Sequence, residues 1–233
     1  MRTAFVAGAT GYTGGEAVRL LREHGAEVVA HVRPGSPAGA RAKDRFLALG
    51  ARVDESPWEL AAMTEALRRA RPDAVLALLG TTRARGRAAA ARGASETYET
   101  IDYGLTRLLL GAAVACGHRP RFVYLSSVGV RPGVTNPYLA VRARLEAELT
   151  ASGLPWVIAR PSFITGPDRE EARPAERLAA GAVDAVAGAL GVLGIRAAQR
   201  WRSTTATGLA GALVRLAFDP AAAGRVFESE ALR

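Results

Sequence analysis

Cysteine is nearly absent from this 233-residue chain: Cys116 stands alone, so neither an intramolecular disulfide nor a multi-cysteine metal site can form. Lysine is as scarce. Lys43 is the only one among 31 basic residues, and the arginines that make up the rest are scattered with no basic tract. A net charge of +9 would ordinarily suit nucleic acid. Aromatics, however, are only 6% of the chain and do not interleave with the arginines, so no nucleic-acid partner is expected. The arginines read instead as solvated surface charge with some contacts to anionic ligands. His24, His31 and His118 share no ligand spacing, and no metal is expected. Long apolar runs are missing as well: Leu178 to Ile195 is broken by Asp184 and diluted by small residues. It reads as a buried or pocket-lining helix, with no membrane span. The chain opens on the strand-like Thr3 to Ala7 without the three regions of a signal peptide, which with the lone cysteine makes a cytoplasmic location the expectation.

What is present is a globular composition, 49% hydrophobic and 23% charged, in a chain long enough to bury roughly 70% of its unfolded surface. Strand-like and helix-like segments alternate. The strands expected are Thr3–Ala7, Glu27–Val32, Ala51–Asp54, Asp73–Leu79, Phe122–Leu125 and Trp156–Ala159, with a short one at Arg225–Glu228. Helices are expected over about Gly14–His24, Thr97–Cys116 and Thr207–Phe218. Two more have start signals: Ser56-Pro57 opens a helix to about Ala70, and Asn136-Pro137 opens one whose apolar Val141, Leu145 and Leu149 recur at helical spacing. Arg33 to Gly39 reads as a basic, Gly/Pro-rich loop. The fold class is therefore α/β, a doubly wound, mainly parallel sheet with helices on both faces. No linker divides it: residues 1–233 form one domain, with 165–233 adding a small C-terminal cap on the substrate side.

Gly8-Ala9-Thr10-Gly11-Tyr12-Thr13-Gly14 lies between the first strand and the first helix, and that context turns a glycine pattern into a binding site. Gly8 permits the tight turn, Gly11 lets a pyrophosphate approach the backbone, and Gly14 lets the helix pack close to the sheet. Thr10, Tyr12 and Thr13 share the loop and join the candidate contacts, beside the positive end of the helix. The fold thus reads as Rossmann-type. At the end of the second strand an acid would accept from the 2′-hydroxyl of NAD, whereas an arginine would pair with the 2′-phosphate of NADP. No Asp or Glu occurs between Glu27 and Asp44, and Arg33 follows Gly14 by nineteen residues. Arg33 is placed to clamp a phosphate, with Ser36 as a hydroxyl donor, which favours NADP(H) over NAD(H); a solvent-facing loop arginine is the alternative. Asp54 is a candidate for the adenine amino group or a plain helix-leading residue.

Ser126-Ser127 follows the fifth strand, and Tyr138 and Arg142 stand at i and i+4 on one face of the next helix. With these residues the chain resembles the short-chain dehydrogenase/reductase superfamily in its atypical branch, closest to the Tat-interacting-protein oxidoreductase subfamily. The resemblance runs through Gly8 to Gly14, Leu79-Gly80-Thr81-Thr82-Arg83, Leu125-Ser126-Ser127, Tyr138-Leu139-Ala140-Val141-Arg142, Arg160-Pro161 and Asp168 to Pro174. It implies that Ser127 polarises a substrate oxygen and that Tyr138 exchanges a proton with it as hydride moves. Arg142 departs from the family, which has lysine there to bind the nicotinamide ribose and lower the tyrosine pKa. Bringing a phenol from about 10 to about 7 takes roughly 4 kcal/mol, and a planar guanidinium is not an equivalent replacement for an ammonium.

The resemblance also implies that Gly80, Thr81 and Thr82 line the cofactor groove and that Pro161, Ser162, Phe163 and Ile164 pass the nicotinamide with backbone groups. Asp102 either bonds near the serine or is helix surface charge. The function implied is an NADP(H)-dependent oxidoreductase for a small carbonyl or alcohol. A nucleotide-sugar epimerase or dehydratase is the rival enzyme, disfavoured by the roughly seventy residues after the sixth strand. An NADP(H)-binding sensor or scaffold is the rival without turnover. A homodimer through helices flanking the last strands is an open assembly.

Overall fold

β1 (Thr3–Ala7) sends Ala4 and Val6 to one face of a sheet and Phe5 and Ala7 to the other, all fully buried. A strand apolar on both sides needs cover on both sides, which is why its neighbours are parallel strands joined by crossover helices. In the computed structural model this happens throughout; it describes the chain except for Thr82, Arg92, Ala94, Phe163, residues 166–203 and Arg233. The other strands are β2 (Glu27–His31), β3 (Arg52–Asp54), β4 (Ala74–Ala77), β5 (Arg121–Leu125), β6 (Trp156–Arg160), β7 (Ile164–Thr165), β8 (Thr204–Thr205) and β9 (Arg225–Glu228). Seven of them form one parallel sheet in the order β3-β2-β1-β4-β5-β6-β9, and β7 pairs with β8 apart from it. The order reverses between β1 and β4, so a crevice opens where their carboxyl ends diverge.

One face is covered by α1 (Tyr12–Glu23), α2 (Pro37–Ala48) and the C-terminal α7 (Ala206–Phe218), through Val18, Leu21, Phe46, Leu209 and Leu213. The other is covered by α3 (Leu60–Ala70), α5 (Thr106–Ala115) and α6 (Pro137–Ala151), through Met63, Leu67, Leu109, Leu145 and Leu149. This is the doubly wound α/β fold expected. α4 (Arg83–Ala90) follows β4, and residues Tyr98–Leu105 form a π-helical segment that runs into α5.

The structure alters two expectations. Arg33 to Gly39 is not one loop, because Ser36 caps α2 by accepting from Gly39 N at 3.3 Å and Pro37 takes the first helical position. Ser56-Pro57, read as the same signal, starts nothing: Ser56 gives its N–H and hydroxyl to Asp54, and α3 begins at Leu60. In the C-terminal region, β9 extends the sheet beside β6 and α7 packs on α1, while Thr165 and Thr204–Thr205 belong to the separate β7–β8 pair. Residues 166–203, which hold the rest of the expected cap and the Leu178–Ile195 stretch, lie outside the described residues.

Two backbone turns are unusual. Arg71, closing α3, has φ 42° and Arg119, leading to β5, has φ 52°, and a buried proline follows each. A left-handed non-glycine residue costs on the order of 1 kcal/mol.

Candidate functional site

The crevice is shaped by two glycines that tolerate nothing larger. A Cβ on Gly8, whose φ is 83°, would lie 2.5 Å from the backbone O of Leu78 at the end of β4, and a Cβ on Gly14 would lie 2.1 Å from Gly8 O. The first loop is thus pressed against β4 on one side and against its own helix on the other. Gly11 is the N-cap of α1, bonded to Gly8 O through its N–H at 3.0 Å, and no side chain caps the helix. The amides of Tyr12 and Thr13, with the positive end of the helix, therefore face the space that Gly11 leaves open. Across the crevice, Thr81 N donates to Asp102 Oδ2 at 2.9 Å, whereas the buried Thr81 hydroxyl has no partner among the described residues. A bare helix end after β1 and an orphaned hydroxyl after the adjacent β4 fit the phosphates and ribose of a dinucleotide. Thr82 lies outside the described residues.

At the end of β2, Arg33 is exposed and its guanidinium pairs with Glu96 Oε1 at 3.1 Å. It follows β2 in the chain, exposed, and holds a carboxylate. Glu96 was not foreseen, since it lies sixty-three residues away in sequence. Ser36 Oγ accepts from Gly39 N as the cap of α2, so that helix starts four residues after Arg33. Asp54 ends β3, accepts from the Ser56 N–H and hydroxyl, and lies 3.6 Å from the Arg69 guanidinium; with α3 beginning only at Leu60, it leads no helix directly.

Beyond β5 the two serines separate. Ser126 is buried and donates to Glu146 Oε1 at 2.5 Å, and Glu146 in turn accepts from Arg160, whose pKa that bond raises. Ser127 is half-buried and its hydroxyl donates to Val128 O at 3.3 Å, so it is the serine that no carboxylate holds among the described residues. Asn136 caps α6 by accepting from Tyr138 N at 3.0 Å and Leu139 N at 3.2 Å, which sets the turn that carries Tyr138. The Tyr138 ring meets the edge of Tyr98 at 5.2 Å and the Arg142 guanidinium at 4.5 Å from its centroid. The i, i+4 pairing expected of the helix face is present.

Arg142 is 5% exposed and tied down on several sides. It donates to Asp102 Oδ1 at 2.7 Å and Leu125 O at 2.6 Å, with Tyr124 Oη at 3.3 Å, while its Nε is without a partner among the described residues. Burial alone would lower its pKa, but the facing Tyr138, Tyr124 and Asp102 outweigh that and hold it above the ordinary value, so the guanidinium stays charged. Burial pushes the Asp102 carboxyl up, with Arg142 and Thr81 N–H pulling against it. Asp102 is thus no surface charge: the π-helical turn carries it inward, where it joins Thr81 beside β4 to Arg142 on α6. Glu146 and Tyr98 had no signal in the sequence beyond a place on a helix. Ser162 N donates to Ser229 Oγ at 2.7 Å and Pro161 O accepts from Val128 N at 2.9 Å. That segment is pinned beside Ser127, Ile164 continues into β7, and Phe163 lies outside the described residues.

A parallel sheet that reverses its strand order over a glycine cradle and a bare helix end defines a dinucleotide-binding domain of the doubly wound class. The sequence matches the NAD(P)H-binding family over residues 8–187, and the chain belongs to that family. It is 33% identical over 183 residues to the mitochondrial protein fmp52 of Aspergillus clavatus, covering 76% of this chain and 72% of that one. Among solved structures it superposes with TM-score 0.69 on a Bacillus halodurans chain described as an NAD-dependent epimerase/dehydratase, at 19% identity, over 97% of this chain and 92% of that one. The leucoanthocyanidin reductase of Vitis vinifera, solved with NADPH, matches with TM-score 0.54 at 20% identity, over 70% of this chain and 50% of that one. The fungal relatives all carry the designation mitochondrial, which overturns the cytoplasmic location expected above. A lone thiol buried as Cys116 is carries no information on compartment. Among the described residues no helix is long and apolar enough to cross a membrane.

Proposed function

We propose that the chain is an NADP(H)-dependent oxidoreductase of the atypical short-chain dehydrogenase/reductase type, acting on a small carbonyl or alcohol. The Tyr138 ring held against the charged Arg142 guanidinium, 4.5 Å from its centroid, on the helix that follows Ser126-Ser127, supports this reading. NADPH, when bound, supplies the hydride. Tyr138 Oη would deliver a proton to the substrate oxygen while Ser127 donates a hydrogen bond to it, and Arg142 would stabilise the phenolate left behind. The ordered motifs from Gly8 to Pro174 support kinship with the Tat-interacting-protein group within that branch.

Arg33 supports the preference for NADP(H), since a charge-assisted contact to the 2′-phosphate contributes roughly 1.5 to 3 kcal/mol. Titration of cofactor-stripped protein with NADPH and NADH tests it. Arg33→Ala should weaken NADPH binding at least tenfold at fixed salt and leave NADH unchanged; an equal loss for both would remove the preference.

A second reading, a binding protein with weak turnover, is favoured by one observation: Arg142 is committed to Asp102, so less of its charge is available to Tyr138 than a free lysine would offer. With a carbonyl substrate panel, turnover by the wild type that Tyr138→Phe abolishes supports the enzyme. Turnover seen only after Arg142→Lys supports the binding protein.

A further inference from the structure

The end of the sheet where the strands begin carries a cluster that nucleotide binding does not use. The turns leading into β4 and β5 repeat one conformation: an arginine in left-handed backbone, Arg71 or Arg119, then a buried proline, then the strand. β4 and β5 pair with Ala74 opposite Arg121, which sets the two turns side by side. Together they border a half-open surface hollow of about 350 Å³ lined by Arg71, Pro72, Asp73, His118, Arg119 and Pro120. A second hollow of about 280 Å³ shares Asp73 and Arg119 with it and adds Arg2 and Arg121.

Four arginines and a histidine here face one carboxylate. Asp73 already accepts from Thr3 N at 2.7 Å. None of the four arginines is in an ion pair among the described residues. Arg119 donates to Gly153 O and Arg121 to the carbonyls of Leu216, Ala217 and Asp219 at the C-terminal end of α7; these contacts orient the guanidiniums, and none of them is to a carboxylate. Arg121 Nε is buried without a partner among the described residues. Elsewhere among the described residues positive φ belongs to glycine alone. Glycine or asparagine would serve these turns without strain, so a purely structural role does not account for arginine in both. Strain kept at matching positions, each bearing a fork of donors suited to an oxyanion, points to a ligand. We propose that the amino end of the sheet binds a small phosphate-bearing anion, at a site apart from the nucleotide cradle.

The test is calorimetric titration of the full chain with pyrophosphate at constant ionic strength and saturating NADPH, repeated on Arg71→Gly/Arg119→Gly. These substitutions leave the Gly8 to Gly14 loop untouched, so their effect does not depend on how the cradle is used. Saturable binding that falls at least tenfold in the glycine pair is expected, with a thermal midpoint no lower than that of the wild type. Absence of saturable binding, or equal binding by both proteins, overturns the site. Should the glycine pair fold poorly, Arg71→Asn/Arg119→Asn keeps the left-handed turns and must show the same tenfold loss; wild-type affinity in it overturns the proposal. Phosphatidylglycerol vesicles separate the sources. Pelleting of the wild type but not of the variant assigns a lipid headgroup, and pyrophosphate binding without pelleting assigns a soluble anion.

Discussion

Gly14 and Gly15 are chain neighbours in the first turn of α1, yet substitution should move them in opposite directions. A Cβ on Gly14 would meet the backbone of Gly8 at 2.1 Å, with the backbone of Ala9 also inside 3 Å. Neither can yield without opening the loop. A Cβ on Gly15 would meet the terminal NH2 of Arg45 at 2.6 Å, the far end of a side chain that can swing away. Gly14→Ala should therefore destabilise the protein by about 2 to 3 kcal/mol and abolish nucleotide binding. Gly15→Ala should be neutral or stabilising by up to about 1 kcal/mol, from the helix propensity of alanine, with binding kept. Urea midpoints and an NADPH titration on both variants check this; comparable losses in the two would mean that the close approach of α1 to the loop is not what fixes the cradle.

Elements explain which parts of this architecture could be read from the chain. The sheet was legible because β1, β4, β5 and β6 are buried on both faces, so each is an uninterrupted apolar run bounded by polar or glycine residues. Helix boundaries were less so, and Ser-Pro shows why. At Ser36-Pro37 the serine side chain meets an amide three residues on and α2 begins, whereas at Ser56-Pro57 the preceding Asp54 captures Ser56 first. The dipeptide is identical; the competing acceptor is not. The site divides the same way. Gly8, Gly14, Tyr138 and Arg142 sit at local spacings that the sequence displays. Asp102 reaches Arg142 only because the segment Tyr98–Leu105 is π-helical, a change of pitch that its side chains do not announce. Glu96 on Arg33 and Glu146 on Ser126 are long-range pairs made by the assembled layers, and no local pattern could contain them.

The stability of the whole molecule should depend on pH through its buried titratable groups. His31 ends β2 at 3% exposure, its ring edge-on to Trp58 at 4.7 Å and its Nε2 2.9 Å from Ser56 O. Burial lowers its pKa below the ordinary 6.5, with the Ser56 carbonyl and the Asp54 charge opposing more weakly. The unfolded chain therefore takes up a proton near 6.5 that the folded protein still refuses, so stability is full above that pH and is lost as pH falls toward the folded pKa. Asp102 works in the opposite sense: its carboxyl is raised by burial, so the folded state holds a proton above 3.8 where the unfolded chain has released it. That contribution is lost as pH rises out of the carboxylate range. Comparing proteins that differ only at His31 removes Asp102 from the result. His31→Gln keeps an amide to donate to Ser56 O and cannot titrate. Urea unfolding at pH 7.5, 6.5 and 5.5 should show wild-type stability declining relative to the variant by no more than about 1.4 kcal/mol per pH unit, the limit for one proton. Parallel pH profiles for the two proteins would mean that the β2 end opens to water and that His31 is protonated without unfolding the sheet.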